Sequence, residues 1–159
     1  ALKIDQFEQL EKASLKRIDS MIKINDFQNM IVEYEKLALF FPAKINYQIE
    51  KGQLESQLQK WDSSVKTFSK IIELAPTNKE ARLNRAYGYF VVKKYKESIE
   101  DYTVVITTLK DSSGEVYYYR ALAYFKNKQT NLGRSDLEKA KNLGFAIPKE
   151  IQDKFVNKR

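Results

Sequence analysis

The apolar positions of this chain recur at helical spacing, and the helical stretches themselves recur along the sequence. Phe27, Trp61 and Tyr95 each open such a stretch, Tyr34, Phe68 and Tyr102 follow one helical face further on, and Leu37, Ile71 and Val105 continue it. Phe41-Pro42 returns as Ala75-Pro76, and the next step lands on Leu109-Lys110, just before Asp111-Ser112-Ser113-Gly114. The period is about 34 residues. In the stretch preceding each aromatic opener, the small residues Gly52 and Ala86 fall in register, where a larger side chain would push paired helices apart. One extra residue near Ser112 and Ser113 displaces the last copy, after which Ala121, Tyr124, Leu137 and Ala140 resume the pattern of Ala86, Tyr89, Tyr102 and Val105.

The pattern predicts four helix–turn–helix repeats, with helices over about 4–24 and 27–41, 45–58 and 61–74, 79–92 and 95–109, and 114–127 and 130–143. Residues 1–159 read as a single domain with repeats at about 4–43, 44–77, 78–111 and 112–145. Local signals agree. Asp26 is placed to cap the helix that begins at Phe27, and Thr77 to Glu80 and Ser112 to Glu115 have capping-box spacing. Gly144 suits a left-handed helix end, and Pro148 suits the first turn of a final amphipathic helix over about 147–158 that caps the stack.

Trp61 to Pro76, followed by Asn84-Arg85-Ala86-Tyr87-Gly88-Tyr89, resembles the tetratricopeptide repeat family, and the likeness extends over essentially the whole chain. Repeat one departs with Ile18 at a position typically small. Repeat four departs with Thr130 at a position typically aromatic and with no closing proline. The resemblance implies an all-α, right-handed superhelical solenoid whose first helices line a concave surface, and a scaffold or adaptor that holds a peptide or helix of a partner protein there. In that register Ile49, Gln53 and Gln57 of repeat two, Leu83, Asn84, Tyr87 and Val91 of repeat three, and Tyr118, Tyr119, Leu122 and Lys126 of repeat four face the groove. Tyr89, Tyr95, Tyr102 and Tyr124 fall on positions that the repeat fills with core aromatics. The family's best-known grip, a carboxylate clamp of Lys, Asn and Arg on acidic chaperone tails, is not expected. Asn84 matches one amide, but Glu115 and Tyr119 stand where cations are needed.

Composition narrows the chemistry. The chain has neither Cys nor His, which removes thiolate and imidazole metal ligands and the commonest general base at neutral pH. Its glycines, at 52, 88, 114, 133 and 144, never approach the spacing of a phosphate-cradling loop. The expectation is a protein without catalytic activity, cofactor or metal. The longest apolar run, Leu37 to Phe41, is far short of the roughly 20 residues of a membrane span. An Ala start fits a trimmed methionine, an excised segment or a removed leader, so the compartment stays open between cytoplasm and, after leader cleavage before Ala1, periplasm.

The net charge of +7 resides entirely in the second half. Lys93, Lys94 and Lys96 lie in one turn, Lys126 and Lys128 in another, and Lys154, Lys158 and Arg159 in the tail. Together they outline a basic rim that would speed encounter with an acidic partner. Two other readings keep a place: binding of nucleic acid or another polyanion through this basic half, disfavoured because no aromatic-basic recognition motif accompanies it, and self-assembly through the end repeats.

Overall fold

The computed structural model describes residues 4–156. Among the described residues eight helices form four consecutive pairs: α1 (Ile4–Lys23) with α2 (Phe27–Phe40), α3 (Ile45–Gln57) with α4 (Trp61–Leu74), α5 (Lys79–Val91) with α6 (Tyr95–Thr107), and α7 (Gly114–Lys126) with α8 (Thr130–Asn142). A single turn, α9 (Lys149–Ile151), runs into a π-helical turn (Gln152–Val156).

Each first helix ends in the same way. Asn25, Gln59, Lys93 and Lys128 adopt φ of 55°, 58°, 64° and 62°, and the following amide reaches back to close the helix: Asp26 to Met21, Lys60 to Glu55, Lys94 to Tyr89 and Gln129 to Tyr124. This is a Schellman-type closure built four times without glycine. It stops the helices a residue earlier than the apolar pattern alone suggests.

Of the expected caps, Asp26 does accept the Asn29 amide. The other two differ. Asn78 rather than Thr77 caps α5, through the Ala81 amide, and Ser113 precedes α7 with no side-chain cap bond. Asp111 accepts the Ser113 amide instead, folding the loop on itself before the helix begins.

The chain divides into two compact blocks, 1–76 and 77–159. In the first, α1 packs on α2, α2 on α3 and α3 on α4. Ile18, Met30, Ile31, Leu37 and Leu54 form a buried cluster there, and Phe41 and Tyr47 pack against it. A Cβ on Gly52 would meet the Phe68 ring at 2.8 Å, so this glycine is what lets α3 and the fully buried Phe68 of α4 approach. Ser64 donates to the Gly52 carbonyl in the same contact. Its counterpart Ser98 donates to the Ala86 carbonyl at 2.8 Å.

In the second block α5 packs on α6, α6 on α7 and α7 on α8. Ala86, Tyr102, Val105 and Val116 form one buried cluster, and Tyr117, Tyr118, Ala121, Leu137, Ala140 and Ile147 form another. Gly144, at φ +84°, turns the chain back so that Phe145 lies against Tyr118 and Ile147 is buried. The final helix is shorter and wider than expected. Arg134 donates to the Phe155 carbonyl, and the π-helical turn sets the Phe155 ring on Phe125, centroids 3.7 Å apart, above Gly133. In repeat three the counterpart Phe90 packs on the opener Tyr95; in repeat four, where Thr130 stands in the opener's position, Phe125 packs on Phe155 instead. The expected continuation through 157 and 158 lies outside the described residues.

Candidate functional site

The groove residues expected in the second block sit beside a set of charges that the fold turns inward. Arg85 donates through Nε and Nη2 to both carboxylate oxygens of buried Asp101, at 2.7 and 2.8 Å. Arg82 adds a third bond at 3.0 Å. Arg120 makes the same two-pronged pair with Asp136, at 2.7 and 2.9 Å, and reaches Thr103 of α6 at 3.1 Å. Burial opposes the charge on Arg120, but the hydrogen bonds and charge of Asp136 outweigh it and raise its pKa. These guanidinium groups therefore tie first helices to second helices and leave the adjoining groove without a cation.

What remains between α5 and α7 is a concavity of about 290 Å³ lined by Leu83, Asn84, Tyr87, Tyr102, Glu115, Val116 and Tyr119. Tyr102 of α6 is its floor, only 2% exposed, and its ring stacks against Tyr119 at 6.3 Å. Tyr87, 43% exposed, meets Tyr119 edge-on at 6.1 Å from the opposite wall. Burial raises the pKa of Tyr102, with Tyr119 adding to it. Burial followed by the Glu115 carboxylate raises that of Tyr119. Both stay phenols near neutral pH and present hydroxyls that donate and accept. The concavity is thus apolar and aromatic with one carboxyl side chain in its lining, that of Glu115, a chemistry suited to an apolar or aromatic side chain and poorly suited to a carboxylate.

Of the expected groove residues, Leu83, Asn84, Tyr87 and Tyr119 are brought together here. Asn84 turns its amide back to the Glu80 carbonyl at 2.9 Å, which further weakens any clamp-like role. Val91, Leu122 and Lys126 do not line the concavity. Leu122 packs toward the terminal core cluster, and Lys126 is exposed at the end of α7. Tyr118 is buried to 9% and stacks on Phe145 at 4.8 Å, because the chain beyond Gly144 folds over it. Ile49, in the first block, is 8% exposed and belongs to the helix packing, whereas Gln53 is half-buried and Gln57 exposed. Lys93, Lys94 and Lys128 are exposed between helices, whereas Lys96, expected in the same turn, is exposed in the first turn of α6 because that helix already begins at Tyr95. Lys158 and Arg159 lie outside the described residues.

Tyr102, Glu115 and Val116 were not expected in the groove. Tyr102 occupies a core position of the repeat and is both core and floor, which periodicity alone cannot separate. Glu115 stands in the first turn of α7, where the sequence pattern suggested a cap. The Arg–Asp pairs also carried a sequence signal: Arg17, Lys51, Arg85 and Arg120, and Glu33, Thr67, Asp101 and Asp136, recur with the repeat. Among the described residues no group of three or more His, Cys, Asp and Glu is placed to hold a metal ion, and no helix is long and apolar enough to cross a membrane.

Four helix pairs with a shared closing turn, small residues at the crossing in repeats two to four and buried second-helix aromatics in repeats two and three define an all-α helical-repeat protein with a tetratricopeptide-like fold. No protein-family model matches the chain. Among curated proteins it is 30% identical over 87 residues to sperm-associated antigen 1 of Homo sapiens, a match over 55% of this chain and 9% of that protein. The Mus musculus counterpart is also 30% identical over 87 residues, and the chain spans 10% of its length. Among solved structures, MamA 41-end from Desulfovibrio magneticus RS-1 superposes with a TM-score of 0.76 at 18% identity, covering 84% of this chain and 75% of that one. A further MamA crystal structure gives 0.77 at 17% identity, over 86% and 74%. At such identities the likeness is one of fold.

Proposed function

We propose that this chain is a protein-interaction scaffold whose C-terminal block docks a peptide or helix of a partner protein in the groove between α5 and α7. The observation that supports this most is the lining itself: two tyrosine walls and a tyrosine floor around an open concavity, with the nearby arginines engaged by Asp101 and Asp136. Large, stiff aromatic side chains give contact area at small entropic cost, which is why they dominate binding hot spots. Glu115 adds a preference. At this groove the favoured ligand carries an apolar or aromatic side chain with a Lys or Arg beside it, and the expected acidic partner would have to be met elsewhere, at the basic turns. The reading assigns no reaction and no cofactor to the chain.

The test places a photo-crosslinking residue at Asn84, inside the groove, and at Lys96, outside it, and identifies adducts formed in a lysate of the source cells. The expected result is a discrete protein adduct at position 84 that disappears in a Tyr87→Ala, Tyr119→Ala background, with folding checked by circular dichroism. Adducts only at position 96, or adducts at 84 that survive the double variant, would refute the groove assignment.

A further inference from the structure

The C-terminal block carries a second concavity, of about 520 Å³, that shares no lining residue with the tyrosine groove. Its walls are Ile106, Thr107 and Lys110 from the end of α6 and the loop after it, and Leu132, Ser135, Asp136 and Lys139 from α8. Tyr117, Arg120 and Tyr124 of α7 complete it. The Arg120–Asp136 pair is a fixed, mutually neutralised part of this lining. Two cations remain. Lys110 and Lys139 are both exposed, and among the described residues neither forms an ion pair. Thr107 and Ser135 add hydroxyls, and Leu132, 48% exposed, adds an apolar edge.

Lys110 stands out against the repeat. It occupies the register position of Pro42 and Pro76, the residues that close the first two repeats. At φ 57° its backbone is in a conformation closed to proline. Its side chain is exposed, so the packing of the repeat does not require a lysine here.

We propose that this second concavity binds a short acidic segment of a partner protein, with Asp or Glu carboxylates on Lys110 and Lys139 and an adjacent aliphatic side chain on Leu132. Charge complementarity selects an anion. The aromatic geometry selects a peptide over a nucleic acid. Arg120 lies over both Tyr117 and Tyr124, 5.6 Å from each centroid, and Lys139 lies 5.0 Å over Tyr117, so cations already cover these rings where an unpaired base would stack. Carboxylates need only the ammonium groups and hydroxyls at the opening.

The test uses a fluorescein-labelled, end-blocked peptide, Glu-Leu-Glu-Asp-Leu-Glu, followed by anisotropy and by amide shift mapping on the intact chain. Its neutral counterpart, Gln-Leu-Gln-Asn-Leu-Gln, and an oligothymidylate serve as comparison probes. The expected result is amide perturbation centred on Lys110, Leu132 and Lys139, and affinity at least about tenfold lower in Lys110→Glu, Lys139→Glu. Binding is retained in Lys110→Arg, Lys139→Arg and in Tyr87→Ala, which separates this surface from the groove. The proposal is overturned if the charge-reversed protein binds as tightly, if the neutral peptide binds equally well, if the perturbation centres on Lys93, Lys94 and Lys96, or if oligothymidylate displaces the peptide.

Discussion

The first-to-second-helix ion pair takes a different form in each block. In the C-terminal block Arg85 and Arg120 grip Asp101 and Asp136 with two hydrogen bonds each, and all four side chains are largely buried. In the N-terminal block the same register holds Arg17 on Glu33 by one hydrogen bond, with the arginine half exposed and Lys36 sharing the carboxylate. In repeat two the pair is gone. Lys51 turns to Glu35 of α2 at 3.0 Å and approaches Glu55 on its own helix at 3.7 Å, and Thr67, standing where the partner carboxylate would be, donates to that same Glu55 at 2.7 Å. One backbone arrangement tolerates a buried fork, a half-solvated pair and a relayed contact. What the position demands is a satisfied polar link between helices, and its depth decides the chemistry.

The largest test of that difference is removal of the carboxylate. Asp101→Ala takes from two largely buried guanidinium groups the carboxylate they share and should cost about 3–5 kcal/mol of the C-terminal block's stability, whereas Glu33→Ala, whose Arg17 can turn to water, should cost about 1–2 kcal/mol. Urea unfolding monitored by circular dichroism measures both, and equal losses would show that burial does not set the difference.

Acid sharpens the same contrast. The Arg17 hydrogen bond draws the Glu33 pKa from its ordinary 4.5 down to about 2, against an opposing push from burial and with help from Lys36. A carboxylate depressed on folding stabilises the chain above its unfolded pKa, and that contribution is lost as pH falls through the folded value. Between about pH 5 and pH 2 the pair should therefore lose about 1–2 kcal/mol, after allowance for the solvation of Arg17. The pH dependence of unfolding in Glu33→Gln should be flatter over that window; an unchanged slope would remove Glu33 from the account.

The smallest effect concerns a feature on which the blocks agree. Lys93 and Gln59 both hold left-handed turns, at φ 64° and 58°. Glycine there removes a steric cost of roughly 1–2 kcal/mol while adding some chain entropy to the unfolded state, so Lys93→Gly and Gln59→Gly should each stabilise by about 0.5 kcal/mol. Thermal melts that move downward would mean that the side chains hold these turns through contacts of their own.

Much of the fold is legible along the chain because its determinants are local or periodic. Phe27, Trp61 and Tyr95 do open second helices, Gly52 and Ala86 are buried where paired helices meet, and the one-residue insertion near Ser112 sits in the loop before α7. The groove was legible only in part. Leu83, Asn84, Tyr87 and Tyr119 follow from helical register, which fixes the direction a side chain leaves its helix. Tyr118 and Ile49 have a register that suits the groove, yet they are buried, since register says nothing about what comes to lie on top. For Tyr118 that is Phe145, brought back by the turn at Gly144.

By itself the sequence determined the repeat, its period, the helices and the residues between their faces, because each rests on spacing of at most one repeat. The tertiary structure alone decided that Arg82 joins the recurring Arg85–Asp101 pair, that Arg85 and Arg120 grip their carboxylates at depth, that Glu115 joins Tyr102 at the groove, and that Lys110 and Lys139 flank a second concavity. Those outcomes depend on which side chains from separate helices reach one another, and on the depth at which a charge must find its partner.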